Sequence, residues 1–157
     1  MRALSRLQEK DSLYGKQPIK NCQEGQQMAV IPDAWLDFHV QQKARMSIVL
    51  ELDRGTEEEK QWKRKLRALL KYAEGQYQAF FGSESLSIAF ATTAGSQRLS
   101  PMKAWTEQVL KQQQAEADAD LFVLTTLPDG DLDPKTLFLG QVWEQPFEAQ
   151  PVALLSA

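Results

Sequence analysis

Two segments decide the fold: Ala34-Trp-Leu-Asp-Phe-His-Val40 and Ser47-Ile-Val-Leu-Glu-Leu-Asp53, joined by the polar stretch Gln-Gln-Lys-Ala-Arg-Met. Each alternates apolar and polar side chains with the period of two that marks a half-buried strand. Leu36, Phe38 and Val40 share one face of the first; Ile48, Leu50 and Leu52 share one face of the second. A hairpin that pairs 36 with 52, 38 with 50 and 40 with 48 gathers all six on a single apolar surface. A one-residue slip would turn one set away from the other, so the hydrophobic pattern specifies the register. The same pairing puts Asp33, Trp35, Asp37 and His39 on the opposite face, against Val49, Glu51 and Asp53.

Outward from this hairpin, Met28 to Ile31 reads as a short strand that Pro32 interrupts. After Asp53, Thr56 and Glu59 stand three apart like a capping box, and Glu57 and Glu58 suit a helix N-terminus. A helix is expected to about Phe81, because Trp62, Leu66, Leu69, Ala73, Tyr77 and Phe80 recur at steps of three and four. Gly82 ends it. Leu86 to Thr93 reads as a buried strand, Pro101 opens a helix from Met102 to about Ala117, and Leu121 to Leu127 is another strand. A turn at Pro128-Asp-Gly follows, and Leu137 to Trp143 reads as an edge strand. Early strands joined by a hairpin and later strands joined by helices predict an α/β fold, a mixed β-sheet flanked by helices.

Residues 1–27 differ from the rest. Arg2, Arg6, Lys10, Lys16 and Lys20 outweigh Glu9, Asp11 and Glu24, and apolar residues are sparse. Leu4 and Leu7 predict a short helix, broken by Gly15 and Pro18 into an irregular lead-in. This segment resembles the remnant of a larger N-terminal region, and residues 28–157 form the domain. A chain of 157 residues with a formal charge of −3 is long enough for one self-sufficient core. One cysteine (Cys22) and one histidine (His39) exclude a disulfide framework and a zinc centre built on several such ligands. No apolar run reaches membrane-spanning length and no signal-peptide core is present, so a cytoplasmic protein is expected. Walker, Rossmann and Gly-x-Ser-x-Gly signatures are missing.

The constellation with chemical content is Asp33, Glu51 and Asp53. Glu51 and Asp53 leave the same face of one strand, and Asp33 stands at the end of its neighbour. Carboxylates gathered in this way repel one another, and a hard divalent cation relieves the repulsion. All-oxygen ligation favours Mg²⁺, Mn²⁺ or Ca²⁺. A bound Mg²⁺ suits phosphodiester cleavage. The plainer reading is that these acids are solvated or paired with neighbours such as Arg54.

Ile31-Pro-Asp-Ala-Trp35, followed by Val49-Leu-Glu-Leu-Asp-Arg-Gly-Thr56 and a long helix carrying Tyr72, resembles the replication-relaxation family. That family belongs to plasmids and other mobile elements and is similar to the PD-(D/E)XK, or restriction-endonuclease-like, proteins. The resemblance runs from about Met28 to the C-terminus, through Leu121-Phe-Val-Leu-Thr-Thr126, Leu137 and Trp143. Family members usually carry a winged-helix DNA-binding domain ahead of this region. The resemblance implies that Asp33 and Glu51 are metal ligands. The nuclease pattern places a lysine two residues after the glutamate, where this chain has Asp53. A substitute lysine would come from the long helix. Lys60 and Lys71 lie opposite its buried stripe, whereas Lys63 and Lys65 flank the stripe and are better placed to reach the sheet.

The expected function is therefore that of a DNA-associated protein of plasmid or mobile-element replication or mobilisation, with an atypical nuclease-like core and Mg²⁺ if active. The alternative is a non-catalytic DNA- or protein-binding module on a degenerate nuclease scaffold. Lys60, Arg64, Arg67 and Lys71 form a helical stripe that suits phosphate contacts, or is simply a solvated face. The C-terminal half is acidic (Glu107, Glu116, Asp118, Asp120, Asp129, Asp131, Asp133), so nucleic acid should approach the N-terminal half and a protein partner the acidic side.

Overall fold

A computed structural model of the chain describes residues 19–21, 28–39, 45–74, 77–78, 82–83 and 85–155. The N-terminal helix expected at Leu4 and Leu7, together with Cys22, Val40 and Phe80, lies outside them, as does the side chain of His39.

The centre of the molecule is a four-stranded mixed sheet in the order β3-β4-β5-β6. β3 (Ala34–His39) runs antiparallel to β4 (Arg45–Asp53). β5 (Ser85–Thr92) is parallel to β4, and β6 (Phe122–Thr126) is parallel to β5. The two parallel connections each contain a helix, α1 (Glu59–Ala73) and α2 (Ser96–Gln113). A 3₁₀ turn, Glu116–Leu121, leads into β6. Ahead of the sheet, β1 (Ile19–Asn21) and β2 (Met28–Val30) pair antiparallel beside α1. The chain closes with α3 (Pro134–Leu139), β7 (Gln141–Trp143) and β8 (Val152–Ala153).

The expected faces are present, but the register is not the expected one. Leu36 stands opposite Ile48, Phe38 opposite Met46 and Ala34 opposite Leu50. Arg45 and Met46, expected in the connection, belong to β4, and the Arg45 guanidinium grips Asp37 across the pair at 2.9 and 2.5 Å. The shift along the partner strand is an even number of residues, which changes neighbours without changing faces. Both members of this ion pair are over a third exposed, so it sets register more than it adds stability.

One face of the sheet packs Leu36, Phe38, Met46, Ile48, Ala89, Ala91 and Val123 under Leu137 and Phe138 of α3, Trp143 and Leu154. Phe38 and Phe138 meet at 5.5 Å, and the Trp143 indole donates to the Leu137 carbonyl at 2.7 Å. The other face packs Val49, Ile88, Phe90, Phe122 and Leu124 under Trp62, Leu66 and Leu69 of α1 and Met102, Val109 and Leu110 of α2. Trp62 and Phe90 rings lie 4.6 Å apart at the centre. β6 would be an open edge, but Leu124 exchanges backbone hydrogen bonds with Glu144 (2.9 and 2.7 Å), which closes it.

Four elements differ from their sequence expectations; the first is β1, where Ile19–Asn21, expected within an irregular lead-in, pairs with β2. The segment expected as a strand from Leu137 to Trp143 is a helix followed by a short strand. Asp133 caps the helix by accepting from the Lys135 and Thr136 amides, with Pro134 in the first turn. α1 starts at Glu59 with no side-chain cap, so the Thr56/Glu59 capping box does not form; α1 ends at Ala73, residues 77–78 are again helical, and the expected end near Phe81 lies outside the described residues. α2 starts at Ser96, well before Met102, and Pro101 lies inside it. No helix among the described residues is long and apolar enough to cross a membrane.

Candidate functional site

The site grows from the parity of β4. Val49 is in the core beneath α1, so Glu51 and Asp53 leave the strand on that same side. Both are almost wholly buried, at 4% exposure each. Burying two carboxylates requires partners, and the chain supplies two different cations.

Glu51 is met by Lys65 of α1. Trp62, Leu66 and Leu69 fix the buried stripe of that helix, and Lys65 flanks it. Its Nζ reaches Glu51 Oε2 at 3.0 Å and Glu57 Oε1 at 2.5 Å. It also lies 5.9 Å from the Trp62 ring centre. Burial pushes the Glu51 carboxyl above its ordinary range; the Lys65 ammonium pulls it back in part, while Asp33 and Glu57 push it further up. For Lys65, burial alone would favour the neutral amine, but Glu51 and Glu57 prevail and raise its pKa. The two directions are compatible, because one lysine is shared between two anions. Oε1 of Glu51 and Oε2 of Glu57 are buried with no hydrogen-bond partner among the described residues.

Asp33 is exposed in the bend before β3, and its Oδ2 accepts the Leu52 amide at 2.7 Å. The observed register has its last pair at Ala34 and Leu50, so one further step sets Asp33 beside Glu51. The expected pairing would have carried it past Asp53.

Asp53 does not join the other two acids. Arg98, in the first turn of α2, donates to it twice, from Nε at 3.0 Å and Nη2 at 2.9 Å. Thr92 Oγ1 at 2.8 Å and the Gly55 amide at 3.0 Å complete its shell. Burial would raise the Asp53 pKa, but these donors outweigh it and hold the carboxyl below its usual range. No group of three or more His, Cys, Asp or Glu among the described residues has the geometry to hold a metal ion. The expected triad is therefore a pair, Asp33 and Glu51, with Lys65 alongside.

Lys63, the other lysine expected near the sheet, points elsewhere. It pairs with Glu59 one turn back and with Gln108 of α2. The basic stripe divides as well. Lys60 and Arg64 are exposed, Arg67 is half-buried and donates to Gln112 of α2 at 3.1 Å, and Lys71 is half-buried. Arg54 is exposed in the loop after β4.

Two residues that sequence reasoning did not single out as site members are Glu57 and Arg98. Glu57 carries the signature of a helix N-terminal acid, and nothing local signals that it turns back to Lys65. Arg98 sits ahead of the expected start of α2, and its partner Asp53 is distant in sequence. Fold and centre together define a mixed α/β domain with an acid–lysine cluster on the buried face of its second sheet strand. Comparison with protein-family models, curated proteins and solved structures finds no match for the chain.

Proposed function

We propose that the chain is a DNA-associated protein of the plasmid or mobile-element type, with a restriction-endonuclease-like core and an atypical nuclease centre at Asp33, Glu51 and Lys65. One observation carries this reading. Lys65 brings its ammonium to 3.0 Å from the Glu51 carboxylate, which supports reading it as a substitute for the lysine that the nuclease pattern has two residues after the glutamate.

Asp33 and Glu51 fit a hard divalent cation in part. Mg²⁺ is commonly held by one or two carboxylates, with water and substrate phosphate completing its shell, and Glu51 Oε1 is a buried oxygen without a partner. Asp53 does not fit, since Arg98 occupies both its oxygens. When bound, Mg²⁺ would supply Lewis-acid stabilisation to a phosphodiester. The chain's own groups do the rest. Lys65 stays protonated beside two carboxylates and can donate to a phosphoryl oxygen as negative charge builds there. Glu51, whose burial raises its pKa above the ordinary carboxylate value, offers its unpartnered Oε1 as an acceptor for a proton from water. Asp33 is exposed, so a hydrated divalent cation could reach its free oxygen from solvent. Arg54, Lys60 and Arg64 offer the phosphate contacts on the exposed side.

The second reading is a non-catalytic DNA- or protein-binding module. It is favoured by the ion triad of Glu51, Lys65 and Glu57, which already satisfies the lysine, and by Arg98 holding Asp53 away from the other two acids. One experiment separates the two. Mn²⁺ and Mg²⁺ binding is measured by calorimetry, and nicking of supercoiled plasmid by gel, for the parent, Asp33→Asn and Glu51→Gln. The nuclease reading expects metal-dependent nicking that drops at least about 100-fold in both variants. Absence of nicking by the parent removes it. Steeply salt-dependent DNA binding that weakens in Arg64→Glu then supports the module, and affinity unchanged by that reversal turns the module toward a protein partner on the acidic side.

A further inference from the structure

The loop between β4 and α1 is short, and its geometry is fixed from outside. Arg98 Nη2 donates to Asp53 Oδ1 at 2.9 Å and also to the backbone carbonyl of Glu57 at 2.7 Å. Asp53 Oδ2 accepts the Gly55 amide at 3.0 Å. Gly55 has a φ of 78°, and a Cβ there would stand 2.9 Å from that of Ala94, so this part of the loop is seated directly on the β5–α2 connection. The Arg98 guanidinium is itself stacked 5.2 Å from the Trp105 ring centre. One ion pair, at 13% and 2% side-chain exposure, thus holds the loop at both Gly55 and Glu57.

The Glu57 side chain leaves this anchored loop toward Lys65, eight residues on. That separation is not a helical i,i+4 pairing, and Glu57 lies outside α1, so helix geometry does not create the contact. The Arg98 bond to the Glu57 carbonyl holds the backbone from which this side chain leaves. The contact then fixes the lysine that also touches Glu51.

We propose that Glu57 is a positioning residue of the site, and that the Asp53–Arg98 ion pair acts through it to hold the Lys65 ammonium against Glu51. The acid expected to be a third ligand is on this view part of the scaffold for the lysine, reached from it through three contacts. The inference rests on the proposed reading only for what Lys65 does; the relay itself is tested without DNA or metal.

The test follows acetylation of Lys65 by N-acetoxysuccinimide at fixed pH, quantified by peptide mass spectrometry on the full chain, with Lys103 as an internal reference. Lys103 is also partly buried and bound to Glu144 and the Glu148 carbonyl. In the parent, Lys65 should react slowly. Loss of one charge-assisted hydrogen bond in Glu57→Ala should speed its acetylation about tenfold. Arg98→Met should do the same in the parent and add nothing in the Glu57→Ala background. Asp53→Asn/Arg98→Met, which leaves no stranded charge, provides the same comparison if Arg98→Met alone does not fold. An Arg98 effect of equal size with and without Glu57, no effect of Glu57→Ala, or a parallel rise at Lys103 would each overturn the relay. Plasmid nicking is scored separately, so failure of the nuclease reading and failure of the relay are distinct results.

Discussion

Lys65→Met lowers the unfolding free energy by about 3 kcal/mol at neutral pH, in the range for breaking a buried ion pair from one side. The substitution leaves Glu51, at 4% exposure, without the Lys65 donor, its only one among the described residues, and still facing the charges of Asp33 and Glu57. For a domain of this size that loss corresponds to a fall in Tm of roughly 10 °C. Glu51→Gln added to Lys65→Met should restore most of it, because the stranded charge is then gone. The pH dependence has a defined sign. Glu51 already has a raised pKa in the fold, and removing Lys65 raises it further. An acid with a folded pKa above its unfolded value favours the fold at low pH, and that contribution is lost as pH rises through the folded pKa. The deficit of Lys65→Met should therefore be smaller at the more acidic of two pH values than at the more alkaline one, as a proton replaces the ammonium. Urea titrations in EDTA at both pH values measure this, and equal deficits would show that Glu51 does not feel the lysine.

Arg98→Met should cost about 3–5 kcal/mol by the same logic applied to the second buried acid. Asp53 loses two guanidinium bonds and keeps only Thr92 and the Gly55 amide. Asp53→Asn/Arg98→Met should recover the larger part, while Asp53→Asn alone strands Arg98 less severely, since that side chain is more exposed and retains the Glu57 carbonyl. Here the pH sign is opposite. The Asp53 pKa is depressed in the fold. Its contribution is present above the ordinary value of 3.8 and disappears as pH falls through the depressed one. The gap between the parent and Arg98→Met should close below about pH 4. Thermal melts of the three chains across that range decide it, and a gap that persists in acid would mean the arginine acts through packing on Trp105 instead.

These two ion pairs also mark where sequence reading succeeds and where it stops. Strand faces are legible because side chains alternate with a period of two, so Glu51 and Asp53 fall on the α1 side under any even register shift. Register is less legible, because Leu36, Phe38, Ile48, Leu50 and Met46 make a continuous apolar face in more than one alignment. The Asp37–Arg45 contact that accompanies the observed one involves a residue that reads as loop. Lys65 can be nominated from its place beside the Trp62–Leu66–Leu69 stripe, while Lys63, on the other flank, is taken by Glu59 and Gln108. Asp53 is the instructive failure. Its strand parity equals that of Glu51, and what separates the two is their partners: Arg98, distant in sequence, holds Asp53, while Lys65 meets Glu51. At Leu137 and Phe138 a short apolar run fits helix or strand equally. The deciding signal was Asp133-Pro134 just upstream, a cap followed by a first-turn proline.

The backbone pairing of Leu124 with Glu144 makes the C-terminal stretch a structural wall of the domain. Lys103 clasps Glu144 from the far side, while Trp143 and Phe138 cover the sheet surface next to it. A chain shortened to Leu127 would expose a strand rim and an oily plane in one cut. Such a truncation should produce a protein that self-associates into aggregates, which makes the last stretch a built-in guard against fibre-like stacking.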